Sequence, residues 1–337
     1  MADPRFLLVR LSSMGDVIHT LPAASALRDT FSGARIDWAV DPQWTRLLEG
    51  NPDLSEVISV DRRSAAGIVA GVRRLRAAQY DCAIDFQSLY KSALLALASG
   101  ASRRVGFERG YAREGLASLF YTERVNPRGA HKVEHNLALV EAVGARKSKP
   151  RFVFTVRPED DDRVVQELAE HGLSEFFVLN PGGGWRSKCW PAERYGELHR
   201  RLAGRYRWRG VVTFGPGEEG LARQVLDAAG DPPPAAIALT LGPLMALMRR
   251  ARFVVSADTG PLHLAAALGA PVVGLFGPTD PSRNGPYSTE PARTIVVRNP
   301  RSCETTYRRG DSYSPGMLSI TVEQVFQSVE RLLERGA

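Results

Sequence analysis

The chain has 337 residues, 44% apolar and 24% charged, which excludes a disordered or low-complexity protein and allows about two domains. The net charge is +7, and residues 1–150 carry +5 of it, with 21 Lys and Arg against 16 Asp and Glu. This excess favours an anionic partner or, equally, a mildly basic solvated surface.

The sequence predicts a soluble protein of a reducing compartment. Three cysteines lie far apart in the chain: Cys82, Cys189 and Cys303. Their spacing fits neither a disulfide framework nor a zinc site. The first apolar run, "RFLLVR", is too short for a signal peptide and follows an acid and a proline. The most apolar stretch, residues 253–277, is interrupted by Asp258 and His263 and should not span a bilayer.

Strand-like runs alternate with helical patterns in the first half of the chain. The predicted strands are residues 5–11, 35–41, 56–61 and 80–86, with a weaker candidate at 103–107. The predicted helices are residues 17–31, 64–78, 90–99 and 131–144. Strands separated by helices of this length are typical of βαβ units and a parallel sheet.

The same alternation restarts after a Lys- and Pro-rich join near residues 145–158. The second set of predicted strands is "FFVLNPG", "RGVVTFG", "AAIALT", "RFVVSAD" and "VVGLFGP". We therefore predict an α/β protein with two Rossmann-like domains facing each other. The last predicted helix is "TVEQVFQSVERLLER", where Thr321 and a glutamate of the first turn predict a capping box.

The first strand-to-helix turn, "LSSMGD", argues against a dinucleotide-dependent dehydrogenase. Only Gly15 is present where that class carries three glycines, so a pyrophosphate could not approach the backbone closely. Asp41 ends the second predicted strand, as a ribose-binding acid would, but it stands alone. The turn instead places an acid, Asp16, at the start of a helix.

The segment "VVSADTGPLHLAAALGAPVVGLFGPTDP" contains the strongest local signal. A buried strand ends at Asp258, and Thr259, Gly260 and Pro261 open a helix whose free N–H groups can bind an anion. His263 lies in the first turn of that helix. Simple capping is the alternative for each residue taken alone. Their clustering after a parallel strand favours a ligand site.

Two further loops follow predicted strands of the second half. "NPGGGWRSKCWP" combines three glycines with Lys188, a mobile positive charge suited to phosphate. "GPGEEGLA" offers Glu218 or Glu219 to ribose hydroxyls, or as acids that favour a helix start. We find no D-x-D-type metal site, since the acidic run "EDDDR" at 159–163 is typical of a first helical turn, so protein donors should neutralise the charge of a leaving group.

Six motifs together resemble lipopolysaccharide heptosyltransferases of glycosyltransferase family 9, and the first three are most similar to heptosyltransferase I. In chain order they are "LVRLSSMGDVIHTLPA", "YDCAIDFQSLYKSALL", "AREGLASLFY", "NPGGGWRSKCWP", "GPGEEGLA" and "SADTGPLHLAAALGAPVVGLFGPTDP". The resemblance implies a GT-B fold with two Rossmann-like domains across a cleft. It assigns acceptor binding to residues 1–150, ADP-sugar binding to 151–320, and to 321–337 a helix packing back toward the N-terminal domain.

The resemblance also implies a mechanism that inverts the anomeric centre without a metal or a cofactor. Asp16 would be the general base, and Lys188 would neutralise the leaving group; Asp16 as a plain N-cap is the alternative. The family's donor-binding positions match Gly183, Gly184, Lys188, Glu219, Leu239, Asp258, Thr259, Gly260 and His263. Glycines stand where heptosyltransferase I often has threonines, which leaves backbone contacts to phosphate at that loop.

The implied acceptor is Kdo on lipid A, which is anionic and matches the basic first half. The acceptor-binding candidates are Ser12, Ser13, Gly15, Arg62, Arg63, Gln87, Lys91 and Arg113. Arg73, Arg74 and Arg76 are better explained as a solvated helix face. The predicted partners are thus ADP-heptose, an anionic lipid acceptor and the cytoplasmic face of the inner membrane of a Gram-negative cell, with no nucleic acid.

The predicted function is heptose transfer from ADP-L-glycero-D-manno-heptose to Kdo of Kdo-lipid A in the lipopolysaccharide inner core. Three alternatives stay open: transfer of a later core heptose, another GT-B nucleotide-sugar transferase, and a nucleotide-sugar-binding protein without turnover. The presence of both Asp16 and Lys188 argues against the last of these.

Overall fold

The structure is a computed structural model that describes residues 3–300, 305–306 and 309–335. The chain divides into two compact units, Met1–Thr155 and Val156–Ala337, whereas the sequence predicted a boundary at residue 150. Cys82 and Cys189 are free and buried, and Cys303 lies outside the described residues. Every helix of the described part is too short or too polar to cross a bilayer.

The first unit is built on one six-stranded parallel sheet. Its strands are β1 (Arg5–Val9), β2 (Arg35–Val40), β3 (Glu56–Ser59), β4 (Cys82–Asp85), β5 (Arg103–Phe107) and β6 (Glu123–Val125). They follow the order β3-β2-β1-β4-β5-β6. The central strands are buried almost throughout, as expected of a parallel sheet with both faces covered.

Five α-helices connect these strands. They are α1 (Met14–Ile18), α2 (Leu21–Thr30), α3 (Ala65–Ala77), α4 (Tyr90–Ala98) and α5 (Lys132–Ala142). Two 3₁₀ helices, Pro42–Leu47 and Gly115–Phe120, complete the unit within the described residues.

The single helix predicted over residues 17–31 is wrong, because the structure breaks it between α1 and α2. Pro22 lies in the first turn of α2. A proline lacks the N–H for an interior helical bond and its ring clashes with the preceding turn, so the chain starts a new helix there. The result is a short α1 that carries Asp16 in its first turn.

The second unit repeats the plan of the first. Its strands are β7 (Phe176–Asn180), β8 (Arg209–Phe214), β9 (Ala235–Ala238), β10 (Val254–Ala257), β11 (Val272–Leu275) and β12 (Thr294–Val297). All are parallel, in the order β12-β11-β10-β7-β8-β9. The edge strands β6 and β12 were not predicted, since β6 has three residues and only one of them is apolar, and β12 has only four residues.

Eight α-helices are described in the second unit. They are α6 (Pro158–Glu170), α7 (Ala192–Tyr206), α8 (Glu219–Ala229), α9 (Leu241–Arg250), α10 (Gly260–Ala267), α11 (Pro281–Asn284), α12 (Pro315–Ser319) and α13 (Val322–Glu334). Two 3₁₀ helices, Arg186–Lys188 and Pro291–Arg293, lie in the same described part.

The last helix, α13, packs inside the second unit. It lies against α7, β11 and β12, with Val325, Val329 and Leu332 in the core. Its capping box uses Gln324, whose Oε1 atom accepts the N–H of Thr321 at 2.9 Å, and not the predicted glutamate. Its expected return toward the N-terminal domain stays a prediction.

Each sheet has one topological switch point, where neighbouring strands are followed by connections on opposite sides. It lies between β1 and β4 in the first unit and between β7 and β10 in the second. Ligands of open α/β sheets bind at the carboxyl ends of the strands that flank such a point. The fold therefore predicts ligand sites in the loops after these four strands.

Candidate active site

Asp16 lies at the switch point of the first unit, in the first turn of the helix that follows β1. Its Oδ1 atom is 2.8 Å from Nη2 of Arg10 and 2.8 Å from Nζ of Lys132. Its Oδ2 atom accepts hydrogen bonds from the hydroxyl of Ser13 at 3.0 Å and from the backbone N–H of Ser13 at 3.3 Å. Each carboxylate oxygen of Asp16 therefore has two donors, one oxygen from the two cations and the other from Ser13.

These partners determine the charge of Asp16. Burial raises the pKa of the carboxyl group, but the charges of Arg10 and Lys132 outweigh burial and hold the pKa well below its usual range. The side chain is therefore ionised throughout the physiological pH range. The same two cations weaken it as a base, because they stabilise the carboxylate more than the acid.

Lys132 and Arg10 are the charged partners of Asp16, and neither of them was singled out from the sequence. Lys132 opens α5, where the helix dipole disfavours a cation. A lysine placed against that local preference is the signal that could have found it. Arg10 directly follows the apolar strand β1 and is buried, which is unusual for an arginine without a charged partner.

Gln87, predicted to bind the acceptor, makes a hydrogen bond that supports the loop after β1, and its acceptor role stays a prediction. Its Oε1 atom accepts the backbone N–H of Leu11 at 2.9 Å, and its side chain is buried. Asp85, at the end of β4, fixes the neighbouring loop by accepting the N–H groups of Gln87 and Ser88 at 2.8 and 3.1 Å. Ser88 adopts a positive φ of 50°, a strained conformation that such surrounding bonds over-determine.

The cations predicted to bind the acceptor come from different segments of the first unit. Arg62 pairs with Asp41 at 2.7 Å, and the side chain of Arg63 is largely exposed. Burial and the charges of Arg62 and Arg113 lower the pKa of Lys91, so both arginines lie within electrostatic range of Lys91. Ser12, in the loop after β1, and Gly15, in α1, are half-buried.

The second unit brings together Lys188, Asp258 and His263 at its own switch point. Nζ of Lys188 lies 2.5 Å from Oδ2 of Asp258, and Nε2 of His263 lies 3.1 Å from Oδ1 of the same carboxylate. Burial alone would raise the pKa of Asp258. The hydrogen bond with His263 and the charge of Lys188 outweigh burial and hold the pKa well below its usual range.

Lys188 is not the mobile point charge that the sequence predicted. Its side chain is only 12% exposed, and its ammonium group lies 4.4 Å from the centre of the Trp185 ring. Nζ also approaches the carbonyl oxygen of Asp258 at 3.3 Å. The cation is therefore held in one place beside the start of α10.

Thr259 and Gly260 form the start of α10 next to that cation. Thr259 is the N-cap residue and Gly260 the first helical residue. The hydroxyl of Thr259 lies 3.1 Å from that of Ser256 and 3.5 Å from the Oδ1 atom of Asn180, the last residue of β7. The first N–H groups of a helix lack intrahelical partners, so this turn offers donors to an anion.

The glycine loop after β7 is shaped by packing as well as by function. A Cβ atom on Gly183 would lie 2.7 Å from Sγ of Cys189, whereas a Cβ on Gly184 would meet nothing within 4 Å. A side chain at position 183 would thus displace its neighbour. Position 184 is open, and a ligand can approach its backbone.

The remaining donor-site candidates follow the next two strands. Glu219 is exposed at the start of α8, and its Oε1 atom accepts the N–H of Gly217 at 3.2 Å. Leu239 is half-buried directly after β9. The strands β10, β7, β8 and β9 are consecutive in the sheet. The predicted donor residues therefore form a row along one edge, because carboxyl ends of parallel strands share an edge.

Metal ligands are not grouped in the part of the chain that the structure describes. Within residues 3–300, 305–306 and 309–335, no three His, Cys, Asp or Glu side chains are placed to hold an ion. The side-chain partners of Asp258 at the second switch point are Lys188 and His263.

Two parallel sheets of Rossmann strand order, each with polar side chains at its switch point, define a two-unit α/β protein of the nucleotide-binding type. The family model for glycosyltransferase family 9 (heptosyltransferase) matches residues 68–316. The chain is 34% identical over 295 residues to lipopolysaccharide heptosyltransferase 1 of Pseudomonas aeruginosa, an alignment that covers 84% of this chain and 81% of the relative.

Two solved structures have the same fold. The glycosyl transferase family 9 protein of Veillonella parvula superimposes with a TM-score of 0.85 at 24% identity, over 98% of this chain and 97% of its own. Escherichia coli heptosyltransferase WaaC with ADP-2-deoxy-2-fluoro heptose gives 0.76 at 29% identity, over 97% of this chain and 99% of its own.

This chain belongs to glycosyltransferase family 9, the heptosyltransferases. The family and the α/β fold class that the sequence predicted are confirmed, as is the prediction that the protein is a glycosyltransferase. The assignment of individual residues to donor, acceptor and chemistry stays a prediction.

Proposed function

We propose that this protein transfers heptose from ADP-L-glycero-D-manno-heptose to Kdo of Kdo-lipid A in lipopolysaccharide inner-core synthesis. The reaction inverts the anomeric centre, needs no metal ion, and takes place at the cytoplasmic face of the inner membrane. The observation that carries the proposal is the ionised carboxylate of Asp16, buried at a switch point and held by Arg10 and Lys132.

Asp16 acts as the general base. The carboxylate takes the proton of an acceptor hydroxyl as that oxygen attacks the anomeric carbon of heptose. The new carbon–oxygen bond forms while the bond from the anomeric carbon to the ADP oxygen breaks, and ADP leaves with the electron pair. An anionic acceptor that draws Lys132 toward itself increases the basicity of Asp16, because one of its two stabilising cations is then shared.

The second unit binds the donor along the carboxyl ends of its strands. Backbone N–H groups near Thr259, Gly260 and Gly184 receive the diphosphate. Glu219 offers a carboxylate to the ribose hydroxyls, and Leu239 offers an apolar surface to the adenine. The order of strands β10, β7, β8 and β9 supports this assignment. The residues proposed for diphosphate, ribose and adenine follow one another along this row, as those three groups do in an extended nucleotide.

Lys188 and the start of α10 neutralise the negative charge that develops on ADP. The ammonium group is already fixed by Asp258 and Trp185, so little reorganisation is needed when the charge appears. His263 holds the other oxygen of Asp258 and so keeps the carboxylate turned toward Lys188. This cation supports the proposal of metal independence.

The first unit binds the acceptor through its cations. Arg62 and Arg113 both lie within electrostatic range of Lys91, and arginine forks match carboxylates and phosphates. The acceptor carries both groups. These residues explain why the first half of the chain is the more basic one.

The direct test measures ADP release from ADP-heptose in the presence of three acceptors: none, Kdo-lipid A, and Kdo-lipid A that already carries one heptose. We expect rapid release with Kdo-lipid A alone. Faster turnover on the monoheptosylated lipid would assign the protein to a later core heptose. Equal release with and without acceptor would contradict transfer.

The donor site is tested by calorimetry with ADP. We expect His263→Ala to weaken ADP binding through the loss of a fixed Asp258, while circular dichroism stays that of the wild type. The matched control is His171→Ala, since His171 ends α6 away from the strand ends that form the site. Unchanged affinity in both variants would mean that ADP binds elsewhere.

A further inference from the structure

Exposed aliphatic side chains are concentrated in one part of the first unit. Nine large aliphatic side chains are exposed among the described residues, and six of them fall within 52 consecutive positions. We call these six the apolar face: Ile68, Val69, Leu94, Leu97, Leu116 and Leu119. They are 40% to 68% exposed. Large exposed apolar patches on soluble proteins mark interaction sites.

The two helices that carry the leucines, α4 and the 3₁₀ helix Gly115–Phe120, pack against each other. Leu94 and Leu97 are three residues apart on an α-helix, and Leu116 and Leu119 are three apart on a 3₁₀ helix, so each pair shares a face. Buried Ala93 and Ala117 pack the two helices together. The backbone N–H of Tyr90 donates to Oε2 of Glu114 at 2.6 Å and ties the start of one helix to the other.

Helix α3 adds the remaining two side chains and packs beside α4. Of its 13 residues, all described, only Gly71 and Leu75 are buried. Its N-terminal half presents Ile68 and Val69 to solvent, and its C-terminal half carries arginines. A helix with so few buried residues gains little from packing on its own unit.

Positive charge is concentrated in the same segment of the chain as the apolar face, and the exposed arginines of α3, Arg73 and Arg76, form its cationic rim. Residues 62–119 contain ten Arg and Lys against four Asp and Glu, so this segment holds +6 of the net charge of +7. Lys91 is exposed on α4 itself, and Arg62 and Arg113 lie within its electrostatic range. An apolar surface rimmed by cations is the combination that binds anionic lipid headgroups and acyl chains together.

We propose that the apolar face and its cationic rim dock this protein onto an anionic phospholipid bilayer. The leucines enter the boundary between headgroups and acyl chains, and Arg73 and Arg76, exposed on α3, contact lipid phosphates. A second copy of this chain does not fit, because a two-fold dimer would bring two identical, strongly positive faces together. The inference deepens the proposed function, whose acceptor is a lipid, by naming the surface that meets the membrane.

Vesicle binding by the full-length protein tests the proposal without any transfer reaction. Flotation compares vesicles of phosphatidylcholine alone with vesicles that also contain about 30% phosphatidylglycerol. We expect binding to the anionic vesicles only, weakened by added salt. The variant Leu94→Ser with Leu119→Ser should bind at least about tenfold more weakly, since two apolar side chains no longer leave water.

A matched control makes the comparison specific. Val165 and Leu318 are 51% and 44% exposed in the second unit, so Val165→Ser with Leu318→Ser removes equivalent side chains elsewhere and should bind like the wild type. A second test pair, Leu97→Ser with Leu116→Ser, guards against misfolding of the first. Circular dichroism and ADP affinity should be unchanged in all three.

Three results would overturn the proposal. The first is wild-type affinity for anionic vesicles in both leucine variants. The second is equal binding of the wild type to neutral and anionic vesicles, or to neither. The third is a dimer in sedimentation velocity that the leucine variants dissociate, which would identify a second copy as the occupant. If the wild-type protein bound anionic vesicles but transferred no heptose, the result would contradict the proposed function and leave this inference standing.

Discussion

Nζ of Lys132 lies 2.8 Å from Oδ1 of Asp16, the same oxygen that Arg10 contacts at 2.8 Å. Lys132 and Asp16 are 116 residues apart in sequence, and the order of the strands in the sheet brings them together. One carboxylate oxygen therefore carries two cations, and the other accepts two donors from Ser13. The arrangement keeps Asp16 ionised and makes its basicity depend on what Lys132 contacts.

Replacing Lys132 should change the pH dependence of transfer. In Lys132→Met the pKa of Asp16 should rise, because one of the two charges that lower it is gone. The acidic limb of the pH profile of kcat/KM should then move to higher pH. Lys132→Arg keeps the charge and should keep the wild-type profile. Superimposable profiles for Lys132→Met and the wild type would show that this pair does not tune the base.

Removing the cation at the second switch point should slow turnover strongly. We expect Lys188→Ala to lower kcat by roughly 10²–10³, the effect of losing one preorganised electrostatic partner of the leaving group. The matched control is Arg186→Ala in the same 3₁₀ helix, whose guanidinium stacks 4.1 Å above the Tyr313 ring. Steady-state ADP release measures both, and equal rates in the two variants would contradict the assignment of Lys188.

Transfer should not depend on a divalent cation. If Lys188 and the start of α10 neutralise ADP, excess EDTA should leave the rate unchanged, and added Mg²⁺ should not increase it. The measurement is ADP release after gel filtration into a chelator-containing buffer. Complete loss that Mg²⁺ restores would refute this part of the mechanism.

His199 should make the second unit sensitive to acid. Burial and the neighbouring Arg209 lower the pKa of His199 to about 4, and neither ring nitrogen has a hydrogen-bond partner among the described residues. Above an unfolded-state pKa of about 6.5 the imidazole is neutral in both states. As the pH falls from about 6.5 to about 4, only the unfolded chain gains the proton, so stability is lost.

The variant His199→Leu isolates this contribution. Denaturant unfolding at pH 8 and pH 4.5 should show that the variant loses roughly 2–3 kcal/mol less stability than the wild type over that interval. The low pKa values of Asp16 and Asp258 act in a separate window, since stability from a carboxylate with a lowered pKa is lost only below about pH 4. Parallel losses in variant and wild type would remove His199 as the cause.

Most of the fold follows from local patterns in the sequence. The buried strands are continuous apolar runs, and all ten predicted strands are present. The edge strands β6 and β12 were not predicted. β6 reads Glu-Arg-Val, and an edge position tolerates its polar residues, of which Glu123 pairs with Arg103 at 2.7 Å. β12 reads Thr-Ile-Val-Val, which is apolar but only four residues long. Pro22 could have predicted the break between α1 and α2, but the helical periodicity of residues 17–31 indicated one continuous helix.

Only part of the candidate site could be predicted from the sequence. Asp16, Asp258 and Thr259 follow directly from their places after predicted strands, because strand ends mark ligand sites in this fold. Lys132 was not found, since its role depends on a contact across 116 residues that no local pattern encodes. Gln87 was assigned to the acceptor on its motif; its hydrogen bond to Leu11 adds a structural role that the motif did not predict.

The central claim is that Asp16 is the general base, and Asp16→Asn tests it only with a control for stability. Arg10 is 8% exposed, and Asn leaves it without its anionic partner. Breaking a buried pair costs about 3–5 kcal/mol. Asp37 is a matched carboxylate in the same unit, fully buried and bonded to Arg35 and Tyr80 at 2.8 and 2.7 Å. Asp37→Asn should therefore also lower the melting temperature.

The deciding measurement is heptose transfer per folded molecule in Asp16→Asn and Asp37→Asn, at a temperature where both are folded. If Asp16 takes the proton, Asp16→Asn loses roughly 10²–10⁴ in turnover with ADP affinity unchanged, and Asp37→Asn stays close to the wild type. If Asp16 only caps and stabilises its helix, the two variants behave alike. Turnover above about a third of wild type in Asp16→Asn, under chemistry-limited conditions, would contradict the assignment.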